Sequence, residues 1–258
     1  ELKSRGLGDV YKRQEVGFIA HIKDHIFILG LQGELRIQNL KSKKVLKSIP
    51  IEPKIKLNRI NDGKTDPAGN LWFGTMDNLE RKIEKGSLYK LDKNLKLTRV
   101  DKNYRITNGP AFIDEHNFYH TDSPKKTIYK IKINKNNKII SKKIFKKLTP
   151  EEGVPDGMTL DKNKNLWVAH FRGACVSVFN SRAKLIHRIQ FPAKNITNCA
   201  FGGKNNQELY VSTATKGMDK ADLRKFRYSG FFFGVKTNTK GVLQKKFILS
   251  NEAERSLL

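Results

Sequence analysis

The chain has 258 residues, 38% of them hydrophobic, enough to bury a sizeable core within one all-β domain. Its 51 Lys and Arg against 25 Asp and Glu give a formal charge of +26. No apolar run approaches the roughly 18–20 residues that cross a bilayer, and the start lacks a basic-then-apolar signal pattern, which predicts a soluble, cytoplasmic protein without membrane partners.

In chain order, "DVYKRQ" (9–14) resembles the in-frame translation of a transposon end used in sequencing libraries, so residues 1–14 read as a non-native or disordered leader. From residue 15 to 258 the text reads as a single domain of strands and turns. The segments "NLWFGTM", "SLYKLD", "FYHTD", "TIYKIKI", "NLWVAHF", "CVSVFN", "ELYVSTA" and "FFFGVK" alternate apolar with polar residues between Gly, Asn and Asp clusters, and no helix of three turns is expected. Lysines fall in turns and on alternate strand positions, as in "KINKNNKIISKKIFKKL" (132–148), and far outnumber arginines. That pattern predicts solvated faces rather than a specific nucleic-acid site; polyanion binding through the lysine-rich strands is the alternative. Cys175 and Cys199, lacking C-x-x-C spacing, read as reduced, buried thiols.

The strands repeat. Leu71-Trp72, Phe118-Tyr119, Leu166-Trp167 and Leu209-Tyr210 are separated by 47, 48 and 43 residues, the length of a four-stranded propeller blade. Ten residues before each of the first three signatures stand Asn61, Asn108 and Asp156; eleven before the fourth stands Asn198. In a propeller, equivalent positions of successive inner strands converge on the axis, so these side chains form a candidate ring of oxygen ligands. Taken singly, "NDG" and "PDG" are ordinary turn sequences, and it is the recurrence that points to a site. His116, His120, His170 and His187 show no ligand spacing, although His170 in "WVAHF" falls near the channel end of a strand. Gly202-Gly203 reads as a tight turn, and no G-x-S-x-G nucleophile motif occurs.

At these residues the sequence resembles the regucalcin/gluconolactonase (senescence-marker-protein-like) family of six-bladed β-propellers. The matching stretches are "RINDGKTDPAGNLWFGTM" (59–76), "ITNG" (106–109), "GVPDGMTLDKNKNLWVAHF" (153–171) and "TNCAFGGKNNQELYVSTA" (197–214), and the likeness runs over about residues 15–249. The resemblance implies that Asn108 and Asp156 are metal ligands, with Asp156 also a catalytic general base, and that Arg59 and Asn61 bind substrate. It implies one divalent cation (Ca, Zn, Mn or Mg), a small-molecule sugar lactone as substrate, and a metal-dependent lactonase activity. A loop starting at Met76 and Asp77 is expected to cover the pocket. The family's further ligand, a glutamate of the first blade, has no counterpart here, because "EVGFIAHIKDHIFILG" fits a second blade; Glu15 and Glu34 do not replace it. The expected architecture is therefore a six-bladed type whose first blade is missing or incomplete. A non-catalytic cation-binding or partner-binding propeller is the competing function.

Overall fold

Strand formation follows the alternation. Along β1 (Phe18–Lys23), Phe18, Ala20 and Ile22 point inward while Ile19 is 56% exposed. The computed structural model describes residues 15–257, so the expected leader lies outside the described residues. With β2 (Ile26–Gly30), β3 (Glu34–Asn39) and β4 (Val45–Pro50), β1 makes the first antiparallel sheet. The second comprises β5 (Asn58–Thr65), β6 (Leu71–Asp77), β7 (Gly86–Leu91) and β8 (Leu97–Tyr104). The third holds β9 (Thr107–Phe112), β10 (Asn117–Asp122), β11 (Thr127–Ile133) and β12 (Ile139–Lys147). The fourth holds β13 (Val154–Leu160), β14 (Leu166–Phe171), β15 (Cys175–Phe179) and β16 (Leu185–Gln190). The fifth has three strands, β17 (Asn195–Gly202), β18 (Glu208–Ala214) and β19 (Phe232–Lys236). Among the described residues two short α-helices occur, α1 (Lys220–Lys225) between β18 and β19 and α2 (Asn251–Arg255) after β19.

The innermost strands β1, β5, β9, β13 and β17 pack in that order, which makes the sheets blades of a propeller. Five blades stand among the described residues, where the sequence leads to a six-bladed type with its first blade missing or incomplete. The reason is the pitch: at 43–48 residues per unit, the segment from Phe18 to Lys236 holds five repeats. Between β1 and β17 lies a cleft of about 660 Å³, lined by Ile19, Lys64, Cys199, Tyr210 and Phe232 among others.

The core is a series of slabs, each shared by two successive blades. Phe18, Ile37, Ile60 and Phe73 fill the first; Trp72, Leu88, Tyr104 and Phe118 the second. Tyr119, Ile128, Met158 and Phe179 fill the third, and Trp167, Val178, Ile196 and Leu209 the fourth. Middle strands are covered on both faces, which is why "LWFGTMD" of β6 is buried at every position. Each fully buried large apolar side chain stabilises the stack by about 1.5–3 kcal/mol. Both cysteines are buried and free.

The turn sequences have a structural reason as well. Asp66 accepts from the backbone and side chain of Asn70 and from the buried Trp72 indole Nε1 at 2.8 Å. Asp161 does the same for Asn165 and Trp167, at 3.1 Å to the indole. Asp66→Ala leaves a buried indole N–H unpaired, and the expected loss is about 1–3 kcal/mol in urea unfolding; an unchanged midpoint would show that the indole finds another acceptor.

After β19 the chain crosses the axis at the end away from the ring residues. Val242 N donates to Leu160 O at 3.0 Å, Thr65 bonds Lys245 O, Phe247 N donates to His21 O at 2.8 Å, and Ile248 N to Gly69 O at 3.0 Å. Phe247 is 1% exposed within the first core slab. This segment ties the fourth, second and first blades together.

Candidate active site

Each of four inner strands breaks register at its ring position. The irregularity falls between Ile60 and Gly63 in β5, between Asn108 and Ala111 in β9, between Pro155 and Met158 in β13, and between Ile196 and Asn198 in β17. Extra residues at such bulges leave the ladder and re-aim side chains. The local sequence permits it: Gly109 sits at φ +86°, which only glycine adopts at little cost. At Gly157 a Cβ would lie 2.2 Å from the Asn198 side chain, so the close approach of β13 to β17 needs glycine.

The result is one cavity of about 340 Å³ into which Arg59, Asn61, Asn108, Asp156 and Asn198 all project. Arg59 Nη1 donates to Asn61 Oδ1 at 2.8 Å. Asn61 Nδ2 donates to Thr107 O at 2.7 Å and to Asn108 Oδ1 at 3.0 Å. Asn108 Nδ2 donates to Ser123 Oγ at 2.8 Å. Asn198 Oδ1 accepts from Cys199 N at 2.8 Å. Arg59 also lies 3.4 Å from the Glu15 carboxylate, which occupies that carboxylate with an ion pair; burial lowers the guanidinium's pKa, opposed by Glu15, but arginine stays charged.

No side chain among the described residues donates a hydrogen bond to Asp156. Loss of hydration raises its carboxyl well above the usual carboxylate range; the neighbouring Asp62 charge adds to this, and Arg59 opposes it. Asp62 accepts from Gly109 N and Gly63 N, both at 2.8 Å, and burial raises its pKa too. Lys64 crosses the axis from the second blade to the fourth, Nζ donating to Met158 O at 2.6 Å, with its pKa lowered by burial. At the mouth, Met76, Glu80 and Lys216 line the cavity, and Glu80 pairs with Lys216. Asp77 faces away from the cavity and holds Arg81 at 2.5 Å, an interaction that lowers its pKa.

His170 does not reach the cavity. It is fully buried with Nδ1 on Glu152 O at 2.8 Å, and the next residue, Phe171, lines the site instead. Sequence reasoning missed Asp62, Ser123, Phe171, Glu80 and Lys216. Asp62 sits beside Asn61 in the same bulge, and the "NDG" motif carried its signal; the others fall outside the ten-residue offset and leave no repeat.

The donors that could hold a cation are the Asp156 carboxylate and the Asn108 amide oxygen, with Asn61 and Asn198 beside them. No cluster of three His, Cys, Asp or Glu side chains occurs among the described residues, so the set consists mainly of amide oxygens. Carboxylate and amide oxygens fit a hard divalent cation, and a carboxylate with no side-chain donor fits one further.

Bulged inner strands that deliver oxygen-bearing side chains to one axial cavity define an all-β propeller with a polar axial site. A family model described as SMP-30/Gluconolactonase/LRE-like region matches residues 5–215. The chain belongs to that family. It is 38% identical over 188 residues to an uncharacterized protein of Sulfolobus acidocaldarius, covering 72% of this chain and 65% of that one. It is 34% identical over 186 residues to the "Putative sugar lactone lactonase YvrE" of Bacillus subtilis, covering 71% and 63%. Regucalcin of Danio rerio is 33% identical over 181 residues, covering 69% and 61%. The chain thus spans somewhat under two-thirds of the length of these relatives. Among solved structures, a luciferin-regenerating enzyme superposes with a TM-score of 0.82 at 31% identity, covering 91% of this chain and 82% of that one. A calcium-binding protein, regucalcin of Agrobacterium tumefaciens, also gives 0.82, at 23% identity, over 90% and 79%, which is a likeness of fold. No helix among the described residues is long and apolar enough to cross a membrane.

Proposed function

We propose that this propeller is a divalent-cation-dependent lactonase acting on sugar lactones. The observation that carries the reading is the convergence of Asn61, Asn108, Asp156 and Asn198, one per repeat, on a single cavity of about 340 Å³ that also holds Arg59. Membership of a family that includes gluconolactonases supports the reaction class. A volume of that order accommodates a small polyol ring.

Asn108 and Asp156 would hold the cation, which when bound supplies electrostatic stabilisation to the carbonyl oxygen as it gains charge. Asp156 takes a proton from the attacking water as general base; a carboxyl whose pKa stands above the usual range is a stronger base once ionised. Arg59 and Asn61, already paired with each other, orient ring hydroxyls and the carbonyl face. Met76 and the Glu80–Lys216 pair narrow the entrance.

The test is acid release from glucono-δ-lactone, followed with a pH indicator, before and after chelation. Release above the spontaneous rate should disappear with EDTA and return with one of Ca, Zn, Mn or Mg. Turnover indifferent to chelation overturns the cation dependence. Cation binding without turnover of any aldonolactone would assign the chain to the non-catalytic class.

A further inference from the structure

We infer that Ser123 is a positioning residue which fixes the amide of Asn108 and the backbone of Asp156 together, so that the Asn108 oxygen is the atom offered to a cation. The inference rests on the cation-site reading above.

Hydrogen-bond polarity is fixed along this row of side chains from both ends. An arginine guanidinium can only donate, so at one end Arg59 Nη1 fixes Asn61 Oδ1 as acceptor at 2.8 Å. The Asn61 Nδ2 group then donates both to a backbone carbonyl, Thr107 O, at 2.7 Å and to Asn108 at 3.0 Å, so the Asn108 atom facing it is the oxygen. Asn108 Nδ2 is thereby turned the other way and donates to Ser123 Oγ at 2.8 Å. At the far end Ser123 Oγ lies 2.6 Å from Pro155 O, an atom that can only accept, so the single hydroxyl proton goes there. Thr121 Oγ1, 3.3 Å away, fills the remaining acceptor position of the hydroxyl. The row therefore runs in one direction from guanidinium to carbonyl, and every polar atom along it has one permitted role.

Position matters as much as direction. Ser123 opens a 3-10 turn (Ser123–Lys125) directly after β10, is 4% exposed, and spans from the third blade to the fourth. The carbonyl it holds belongs to the peptide unit that begins Asp156. Were the Asn108 amide reversed, its NH₂ would face the Asn61 NH₂, and positive hydrogens would point where a cation is to sit. Ser123 is the group that makes the productive orientation the lower in energy. Outer partners of this kind change metal affinity by about 10- to 100-fold when removed.

The experiment compares the wild type with Ser123→Ala and Ser123→Thr, with Ca or Mn alone as probe in calorimetric titration. Nδ2 proton exchange of Asn108 is read by NMR in metal-free protein, its resonances assigned by their loss in Asn108→Asp. Ser123→Ala is expected to weaken cation binding by about 10- to 100-fold and to speed exchange of the Asn108 amide protons. Ser123→Thr, which keeps the hydroxyl, is expected to restore both. A Ser123→Ala protein with wild-type affinity and unchanged amide exchange overturns the inference, whatever its melting temperature. If Ser123→Ala does not fold, Ser123→Cys, which keeps the volume and weakens both hydrogen bonds, is read by the same criteria. A wild type that binds no cation refutes the cation-site reading instead; amide exchange then decides the orientation by itself.

Discussion

Asp156→Ala is expected to lower chelator-sensitive lactone hydrolysis by about 10²- to 10⁴-fold, the range for losing a positioned general base, while leaving the fold intact. The substitution removes a carboxylate that lacks a side-chain donor and whose ionised form is opposed by poor hydration and by Asp62. Stability in the cation-free protein should therefore hold or rise, because a carboxylate whose ionisation is opposed by desolvation and by Asp62 is gone. Opposite signs for rate and stability are what a site residue produces. Asp156→Ala with full activity would remove this carboxylate from the chemistry, and equal losses in rate and stability would mark it as structural. Asp156→Asn is the companion variant: it keeps the oxygen donor and the shape, so retained cation binding with lost turnover isolates proton transfer.

His120→Leu is expected to flatten the acid limb of the stability profile. His120 is 0% exposed on β10, stands edge-on to Tyr104 with ring centroids 4.9 Å apart, and neither ring nitrogen has a partner. Burial pushes its pKa down to about 3; Lys142 adds to the shift and Asp101 opposes it. Between pH 6.5, the ordinary histidine value, and about 3 the unfolded chain takes up a proton that the folded protein refuses. Stability from this source is complete above pH 6.5, falls as pH is lowered through that window, and changes no further below about 3. From pH 7 to 4 the wild type should lose about 3 kcal/mol more than His120→Leu in urea unfolding, at about 1.4 kcal/mol per pH unit. At pH 7 the leucine variant should be as stable as the wild type or more so, since an apolar side chain replaces two unmatched polar atoms. Parallel profiles for the two proteins would mean that His120 is hydrated or paired in solution.

The sequence made the site legible wherever the repeat acted on it. Trp72 and Trp167 mark equivalent middle strands, and counting back from them reaches the inner strands at their bulges, so Asn61, Asn108, Asp156 and Asn198 share one cavity. Alternation alone gives the opposite answer for Asp62: with Asn61 pointing inward, a strict period of two sends its neighbour to the other face. The bulge breaks that period, and Asp62 turns toward β9 to hold Gly109 N. Ser123 was illegible for a different reason. It lies after the second strand of its blade, and its partners Asn108 and Pro155 are 15 and 32 residues away, on the two flanking inner strands. The six-bladed type, with its first blade missing or incomplete, comes from family likeness, whereas the pitch of the repeats accounts for five sheets over the described residues.

The crossing segment after β19 has a consequence for how the molecule is assembled. His21 and Phe247 are fastened to each other although more than two hundred residues lie between them. Closing so long a loop costs about 5 kcal/mol of chain entropy, so the link repays formation only after the intervening blades have stacked. The sheet of β1–β4 then waits for a latch that is made after the four other described sheets. During synthesis on the ribosome the core slab around Phe18 stays incomplete until Phe247 has been added to it.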